Sequence, residues 1–262
     1  MQTLPIFQVD AFAEERFSGN PAAVVPLNNW LPDELMQKIA MENNLSETAF
    51  FIPDGDNFAL RWFTPTAEVR LCGHATLATA HVIFNHLDYR KEEIHFQSRQ
   101  SGILRVMKDG DLLVLDFPAD AMTETSMPAG LQEAMNAIPT EVYKGLTDYM
   151  CVFPSQEIIE SLNINIPLLA KLPVRGLICT APGKGVDFVS RFFAPAVGVD
   201  EDPVTGSAHT SLIPYWSKRL GKQAMHAIQL SKRKGVLRCK MAGDRVHIAG
   251  RALTYLEGSI FI

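Results

Sequence analysis

The sequence predicts an α+β protein of two pseudo-symmetric lobes, each a mostly antiparallel β-sheet wrapped around a central helix. Two stretches, at 61–80 and 190–212, share one order of features: arginine, an aromatic residue, phenylalanine, a small residue, proline, a turn, and a glycine that enters an apolar segment. Both segments are apolar nearly all round, which is typical of buried helices. Short strands separated by turns dominate the remaining chain, so strands must cover these helices.

The length and composition fit an ordinary globular protein with two lobes. The chain has 262 residues, of which 47% are hydrophobic and 20% charged, and its net charge is −5. We predict an N-terminal lobe over 1–120, joined by a C-terminal strand at about 250–262, and a second lobe over 121–250. Without a long Lys/Arg run, there is no electrostatic reason to expect nucleic acid or an anionic membrane as a partner.

Several sequence features that would indicate export, a membrane span or a metal site are absent, and this absence predicts the compartment and the metal content. No basic leader with an apolar core opens the sequence, and no run approaches the roughly 18 apolar residues of a membrane span. The four cysteines are widely scattered, without a CxxC pair or histidines at metal-ligand spacing. We therefore expect a reduced, cytoplasmic protein with no structural metal. The cysteines are Cys72, Cys151, Cys179 and Cys239.

The local elements follow in chain order. "TLPIFQVDAF" and "PAAVVPL" are predicted strands joined by the turn "SGNP", and a helix with one apolar face is predicted over 32–44. "TAFFIP" and "FALRWF" are the next strands. Asp109-Gly110 lies between two β-type runs, which predicts a tight hairpin. We place Pro154 and the "SQEIIESLN" behind it in the crossover between the lobes, and short strands with Gly-containing turns fill the C-terminal third.

The two apolar helices are predicted to begin at Gly73 and Gly206. A helix N-terminus presents unpaired N–H groups and partial positive charge, so a glycine turn there is suited to an anion. If both N-termini face the cleft between the lobes, the cleft would hold a carboxylate, with hydroxyl donors from Thr205 and Ser207. The alternative is that each glycine only eases a tight strand-to-helix turn.

Three titratable residues near these turns are further candidates. His74 falls in the first turn of its helix, where the dipole favours a neutral ring. Asp202 precedes the second helix, although it and Glu201 could simply stabilise that helix end. Glu47 lies between a helix end and an apolar strand, where a carboxyl at the rim of a dry cleft could carry protons, unless it is a surface turn residue. The other histidines form no constellation.

Four stretches together resemble the PhzF-like (phenazine biosynthesis-like) family of the diaminopimelate epimerase superfamily. They are "QVDAFAEERFSGNPAAVV" at 8–25, "NLSETAFF" at 44–51, "RWFTPTAEVRLCGHATLA" at 61–78 and "EDPVTGSAH" at 201–209. They occur in the family's order and span most of the chain. The resemblance implies the diaminopimelate epimerase-like fold, with two sheet lobes each wrapped around a helix and the active site between them. It also implies a homodimer.

The resemblance implies a reaction and assigns roles to residues. Glu47 of "SET" would be the proton carrier in an isomerisation that needs no cofactor. The substrate would be a small molecule bearing a carboxylate, with a proton taken from carbon and returned elsewhere on the same face. The residues that would line the cleft and fix the substrate are Gly73, His74, Asp202, Gly206 and Ser207.

One departure separates this chain from the epimerase branch. Diaminopimelate epimerases and proline racemases use two cysteines as opposed bases, whereas here Cys72 keeps the first position and Thr205 occupies the second. A threonine hydroxyl is too weak an acid–base group near neutral pH, which disfavours a two-base racemase. Two alternatives stay open: an amino- or hydroxy-acid epimerase that uses Cys72 with a group such as Glu47, and an inactive protein that binds small acids.

Overall fold

A computed structural model describes residues 2–262 and divides the chain into two compact units. The first unit runs to Phe117 and also contains Ile248–Ile262, and the second unit is Pro118–His247. Strands and a few helices alternate in both units, so the predicted α+β class is confirmed. Within residues 2–262, no helix combines the length and the apolar character needed to cross a membrane.

The first unit contains two helices and nine strands, one of which, β8, ends one residue past the division. The elements are β1 Thr3–Ala11, β2 Asn20–Pro26, α1 Asp33–Asn43, β3 Glu47–Asp54, β4 Asn57–Phe63, β5 Glu68–Val69, α2 Gly73–His86, β6 Glu93–Ser98, β7 Gly102–Asp109, β8 Leu112–Pro118 and β18 Ala252–Phe261.

The sheet of the first unit is mostly antiparallel, with two parallel pairs. Strand β1 pairs antiparallel with β18 and β2, whereas β2 pairs parallel with β3, and β4 pairs parallel with β6. Strands β7 and β8 form the hairpin predicted at Asp109-Gly110. On one side of the sheet, α1 buries Met36, Ile39 and Ala40 in an apolar cluster, as its sequence pattern predicts.

Helix α2 is the buried helix of the first unit, and it begins at Gly73 as predicted. Nine of its 14 residues are buried, and it contacts β1, β2, β3 and β18. Its threonines fit this environment because their hydroxyls bond the preceding helical turn: Thr76 Oγ1 donates to the carbonyl of Cys72 at 2.6 Å, and Thr79 Oγ1 to that of Ala75 at 2.7 Å.

The second unit contains the remaining strands, with β17 running across the point where the chain returns to the first unit. The elements are β9 Thr123–Glu124, β10 Glu141–Lys144, β11 Asp148–Val152, α3 Gln156–Ser161, α4 Ile166–Leu169, β12 Gly176–Pro182, β13 Phe188–Ala194, β14 Val199–Asp202, α5 Gly206–Leu220, β15 Ala224–Gln229, β16 Gly235–Ala242 and β17 Arg245–Gly250. Two short 3₁₀ turns are Gln132–Ala134 and Pro195–Val197.

Helix α5 is the counterpart of α2 and begins at Gly206, again as predicted. Its Trp216 is buried, stacks on Phe188 with ring centroids 5.6 Å apart, and donates its indole N–H to Thr180 Oγ1 at 3.0 Å. The helix ends at Gly221, which adopts the left-handed conformation with φ of 65° that glycine accommodates without strain.

The prediction that Pro154 lies in the crossover between the lobes was wrong. The chain passes from one unit to the other at Phe117/Pro118, and the segment behind Pro154 forms α3 inside the second unit. Strands β11 and β12 are parallel neighbours, and parallel neighbours need a long connection. Helices α3 and α4 make that connection, so the segment joins two strands and not two lobes.

Candidate active site

Three polar side chains of the first unit meet at one end of its sheet. Asn20 is the first residue of β2, Glu47 is the first residue of β3, and His74 lies in the first turn of α2. Because β2 and β3 are parallel, with Ala22 opposite Glu47, their starting residues lie at the same edge. Helix α2 packs on both strands, which brings its N-terminus to this edge.

His74 is held between Asn20 and Glu47. Nδ2 of Asn20 lies 3.1 Å from Nδ1 of His74, and Nε2 of His74 lies 3.2 Å from Oε2 of Glu47. An amide NH₂ donates only, so Nδ1 accepts and the ring hydrogen resides on Nε2, facing the Glu47 carboxylate. The ring hydrogen therefore lies on the nitrogen that is 3.2 Å from Oε2 of Glu47, which is an electrostatic contact and not an aligned hydrogen bond.

Burial determines the charge state of His74. Its side chain is 4% exposed, and burial lowers the pKa of the imidazole to about 3, because an apolar surrounding disfavours the charged form. The ring is thus neutral near pH 7, as predicted, although burial is the cause resolved here and not the helix dipole. Glu47 is 14% exposed and lies near the positive end of α2, which favours a carboxylate there.

Cys72 caps the same helix and is buried beside His74. Its Sγ lies 3.4 Å from Nδ1 and 4.0 Å from Nε2 of His74, so the sulfur sits beside the ring and not in line with the lone pair of either nitrogen. Donor atoms of Glu47, Cys72 and His74 lie within 4.8 Å of one another. One metal ion could be shared by all three only if the imidazole turned, because a ring nitrogen binds metal along its lone pair.

A second group of predicted residues meets at the N-terminus of α5, within the second unit. The Thr205 hydroxyl donates to Oδ2 of Asp202 at 2.6 Å, and the Thr205 amide donates to Oε1 of Gln229 at 2.8 Å. Gln229 Nε2 in turn donates to the carbonyl of Asp202 at 2.8 Å and to Oγ1 of Thr205 at 3.2 Å. Thr205 therefore ties the strand end to the helix start.

Ser207 lies in the first turn of α5 and contacts a guanidinium group. Nη1 of Arg175 donates to Oγ of Ser207 at 3.1 Å, and Arg175 makes a two-pronged ion pair with Asp148, in which Nε lies 2.9 Å from Oδ1. Asp148 is 3% exposed and Arg175 is 34% exposed. An arginine cannot accept a hydrogen bond, so the Ser207 hydroxyl hydrogen is not used in this contact and can be donated to another group.

The predicted site residues thus fall into two groups, one at each helix N-terminus. Glu47, Cys72, Gly73 and His74 meet in the first unit, and Asp202, Thr205, Gly206 and Ser207 meet in the second.

Glu201 does not join the second group, because it forms a two-pronged ion pair with Arg191 at 2.6 and 2.9 Å. Sequence reasoning missed three polar residues: Asn20, Arg175 and Gln229. Asn20 could have been found, since it is the asparagine of "SGNP", which was interpreted only as a turn.

Comparison with known proteins identifies the family. The family model described as phenazine biosynthesis-like protein matches residues 9–258. An uncharacterized isomerase of Pseudomonas aeruginosa is 51% identical over 257 residues, which cover 98% of each chain. A crystal structure of a phenazine biosynthesis protein of the PhzF family from Enterococcus faecalis has a TM-score of 0.96 at 45% identity, covering 100% of both chains. The chain belongs to this family of isomerase-type enzymes, and the resemblance read from the sequence is confirmed.

The fold also extends to more distant proteins. A hydroxyproline epimerase from Agrobacterium vitis has a TM-score of 0.63 at 9% identity, covering 98% of this chain and 92% of that one. At this identity the likeness shows the fold alone, and it agrees with the predicted diaminopimelate epimerase-like fold.

Proposed function

We propose that this protein is a cofactor-independent isomerase that moves a proton on a small carboxylate-bearing substrate, with Glu47 as its single acid/base. The observation that carries the proposal is the pairing of Glu47 with His74 at the N-terminus of α2. A carboxylate in this position is partly shielded from water, lies 3.2 Å from Nε2 of His74, and retains some access to solvent.

The proton is carried by Glu47 and not by His74. Since burial lowers the pKa of His74 to about 3, its imidazole is a weak base that stays neutral near pH 7. The Glu47 carboxylate removes a proton from carbon, and the electron pair of that C–H bond moves into an adjacent conjugated or electron-withdrawing group. The Glu47 carboxylic acid then returns the proton to another carbon on the same face, which regenerates the carboxylate.

In this proposal, backbone N–H groups at a helix N-terminus bind the substrate's carboxylate. Gly73 and His74 begin α2, and Gly206 and Ser207 begin α5, so each pair supplies N–H groups without partners inside its helix. The Ser207 hydroxyl supports this role because Arg175 occupies its acceptor side and leaves its hydrogen available. Asp202 holds this turn through Thr205.

An epimerase that pairs Cys72 with Glu47 is the second candidate, and the proximity of the two residues favours it. Their donor atoms lie within 4.8 Å of each other. However, inversion of a stereocentre needs a proton acceptor on one face and a donor on the other, and two groups this close approach from one side. Thr205, at the second cysteine's position, donates its hydroxyl hydrogen to Asp202. We therefore favour the single-base isomerisation.

Proton NMR in deuterated buffer tests the proposal. A dihydro-hydroxyanthranilate and a panel of amino and unsaturated acids are incubated separately with the wild type, Glu47→Gln and Glu42→Gln. Glu42 is exposed on α1 and provides the matched control. We expect isomerisation or loss of carbon-bound hydrogen with the wild type and Glu42→Gln, and none with Glu47→Gln, which still binds the compound.

Other outcomes select the alternatives. Activity that survives in Glu47→Gln contradicts the single-carboxylate mechanism, and racemisation without a double-bond shift indicates the epimerase. Binding of small acids by the wild type, with no exchange from any compound that binds, indicates a binding protein that lacks catalysis.

A further inference from the structure

We propose that Asn20 is a positioning residue that fixes the tautomer of His74, so that the ring hydrogen of His74 lies on Nε2, the nitrogen that is close to Glu47. The functional part of this inference rests on the proposed role of Glu47, whereas the tautomer itself does not. Asn20 is fully buried at the start of β2, and its side chain reaches Nδ1 of His74 across 54 positions of sequence.

A neutral imidazole has two tautomers, and the surroundings of its two nitrogens decide between them. At His74, Nδ1 faces the amide NH₂ of Asn20 at 3.1 Å, and Nε2 faces the carboxylate of Glu47 at 3.2 Å. With the hydrogen on Nε2, the Asn20 contact is a hydrogen bond, and the positive end of the ring N–H group lies close to the Glu47 carboxylate. With the hydrogen on Nδ1, two donors would meet at Asn20, and a lone pair would face the carboxylate at Glu47.

The tautomer controls the state in which Glu47 rests. An N–H donor facing the carboxylate favours the ionised, proton-accepting form of Glu47. A lone pair in the same place favours the protonated acid, which can donate to it. Asn20 does not touch the reacting carbon in this account, and it acts only through His74.

Other groups near His74 leave this assignment unchanged. Cys72 lies beside the ring and not in line with either nitrogen lone pair, so it does not compete for Nδ1. Burial keeps the ring neutral near pH 7, so a single ring hydrogen is present to be placed.

The experiment is ¹⁵N NMR of the histidine side chains at pH 7, where protonated and lone-pair nitrogens resonate at well separated shifts. His209 is an internal reference with the opposite tautomer, since its Nδ1 lies 2.8 Å from the carbonyl of Thr205 and must carry the ring hydrogen. A His74→Gln sample assigns the His74 signals. We expect Nδ1 of His74 to show a lone-pair shift and Nε2 a protonated one, with the reverse at His209.

Asn20→Asp replaces the hydrogen-bond donor beside Nδ1 with an acceptor, because a carboxylate accepts hydrogen bonds and does not donate them. We expect Nδ1 of His74 to gain a hydrogen in this variant while the His209 signals stay in place. A wild-type His74 protonated at Nδ1, or an unchanged lone-pair Nδ1 in Asn20→Asp, overturns the inference. The wild-type spectrum decides alone if the variant does not fold.

The activity readout separates this inference from the proposed function. If Glu47 is the base, Asn20→Asp moves the acidic limb of the pH profile of kcat/KM upward by about one pH unit, because the donor that favours the carboxylate is lost. A purely structural loss would lower activity at every pH without moving the limb. If the protein shows no isomerase activity at all, the proposed function fails while the tautomer result still stands or falls on the spectra.

Discussion

Mild acid should destabilise the second unit through His209, a buried histidine of α5. Burial lowers the pKa of its imidazole to about 4, although a hydrogen bond to the Thr205 carbonyl raises it slightly. In the unfolded chain the ordinary value is about 6.5. As the pH falls below 6.5, the unfolded chain binds a proton that the folded protein excludes until about pH 4. The stability from neutral His209 is therefore present above pH 6.5 and lost across that window.

The magnitude follows from the shift. One pKa unit corresponds to about 1.4 kcal/mol, so the free energy of unfolding falls by about 2–3 kcal/mol between pH 7.5 and pH 4.5 on account of His209 alone. Asn in place of His209 can still donate to the Thr205 carbonyl and does not titrate. The free energy of unfolding of His209→Asn, measured in urea, should therefore fall by about 2–3 kcal/mol less than that of the wild type over this pH range. All other titrating groups are the same in the two proteins.

His226→Asn is the matched control, since that histidine is exposed in the same unit, and it should follow the wild-type pH dependence. Stability curves that run parallel for the wild type and His209→Asn would refute the reasoning.

Two further predictions concern packing and the thiol. Gly235→Ala should lower the free energy of unfolding by about 1–3 kcal/mol in urea titrations, because the new methyl would lie 2.1 Å from Cγ2 of buried Val204. Gly258→Ala is the control: its new methyl would have its nearest neighbour at 3.8 Å, so the free energy of unfolding should change little. Cys72→Ala should keep isomerase activity, measured as the initial rate by NMR, because the thiol is not the base; loss of all activity in a folded Cys72→Ala would instead favour the epimerase.

Local features of the fold could be predicted because their causes lie within a few residues. The starts of α2 and α5 follow from Gly73 and Gly206 before apolar segments, and the β7–β8 hairpin follows from Asp109-Gly110. The role of the segment behind Pro154 could not be predicted from the sequence, because that role depends on β11 and β12 being parallel neighbours. Strand pairing of that kind is a property of the folded chain and has no local signal.

The candidate site shows the same division. Glu47 and His74 were predicted from a resemblance carried by contiguous motifs, and the structure brings them within 3.2 Å. Asn20 was missed because "SGNP" was interpreted only as a turn, and Arg175 was missed because its partner Ser207 is 32 positions away. Thr205 was interpreted as the residue in place of a second cysteine, and only the structure shows its hydroxyl bonded to Asp202.

The central claim is that a carboxylate at position 47 carries the proton. Chemical rescue tests it most directly: Glu47→Ala is assayed for isomerisation with and without added formate, which can enter the space left by the partly exposed side chain. We predict no turnover without formate and a rate that rises with formate concentration, while Glu47→Gln, which keeps that space filled, is not rescued. Wild-type turnover by Glu47→Ala in the absence of formate would contradict the account.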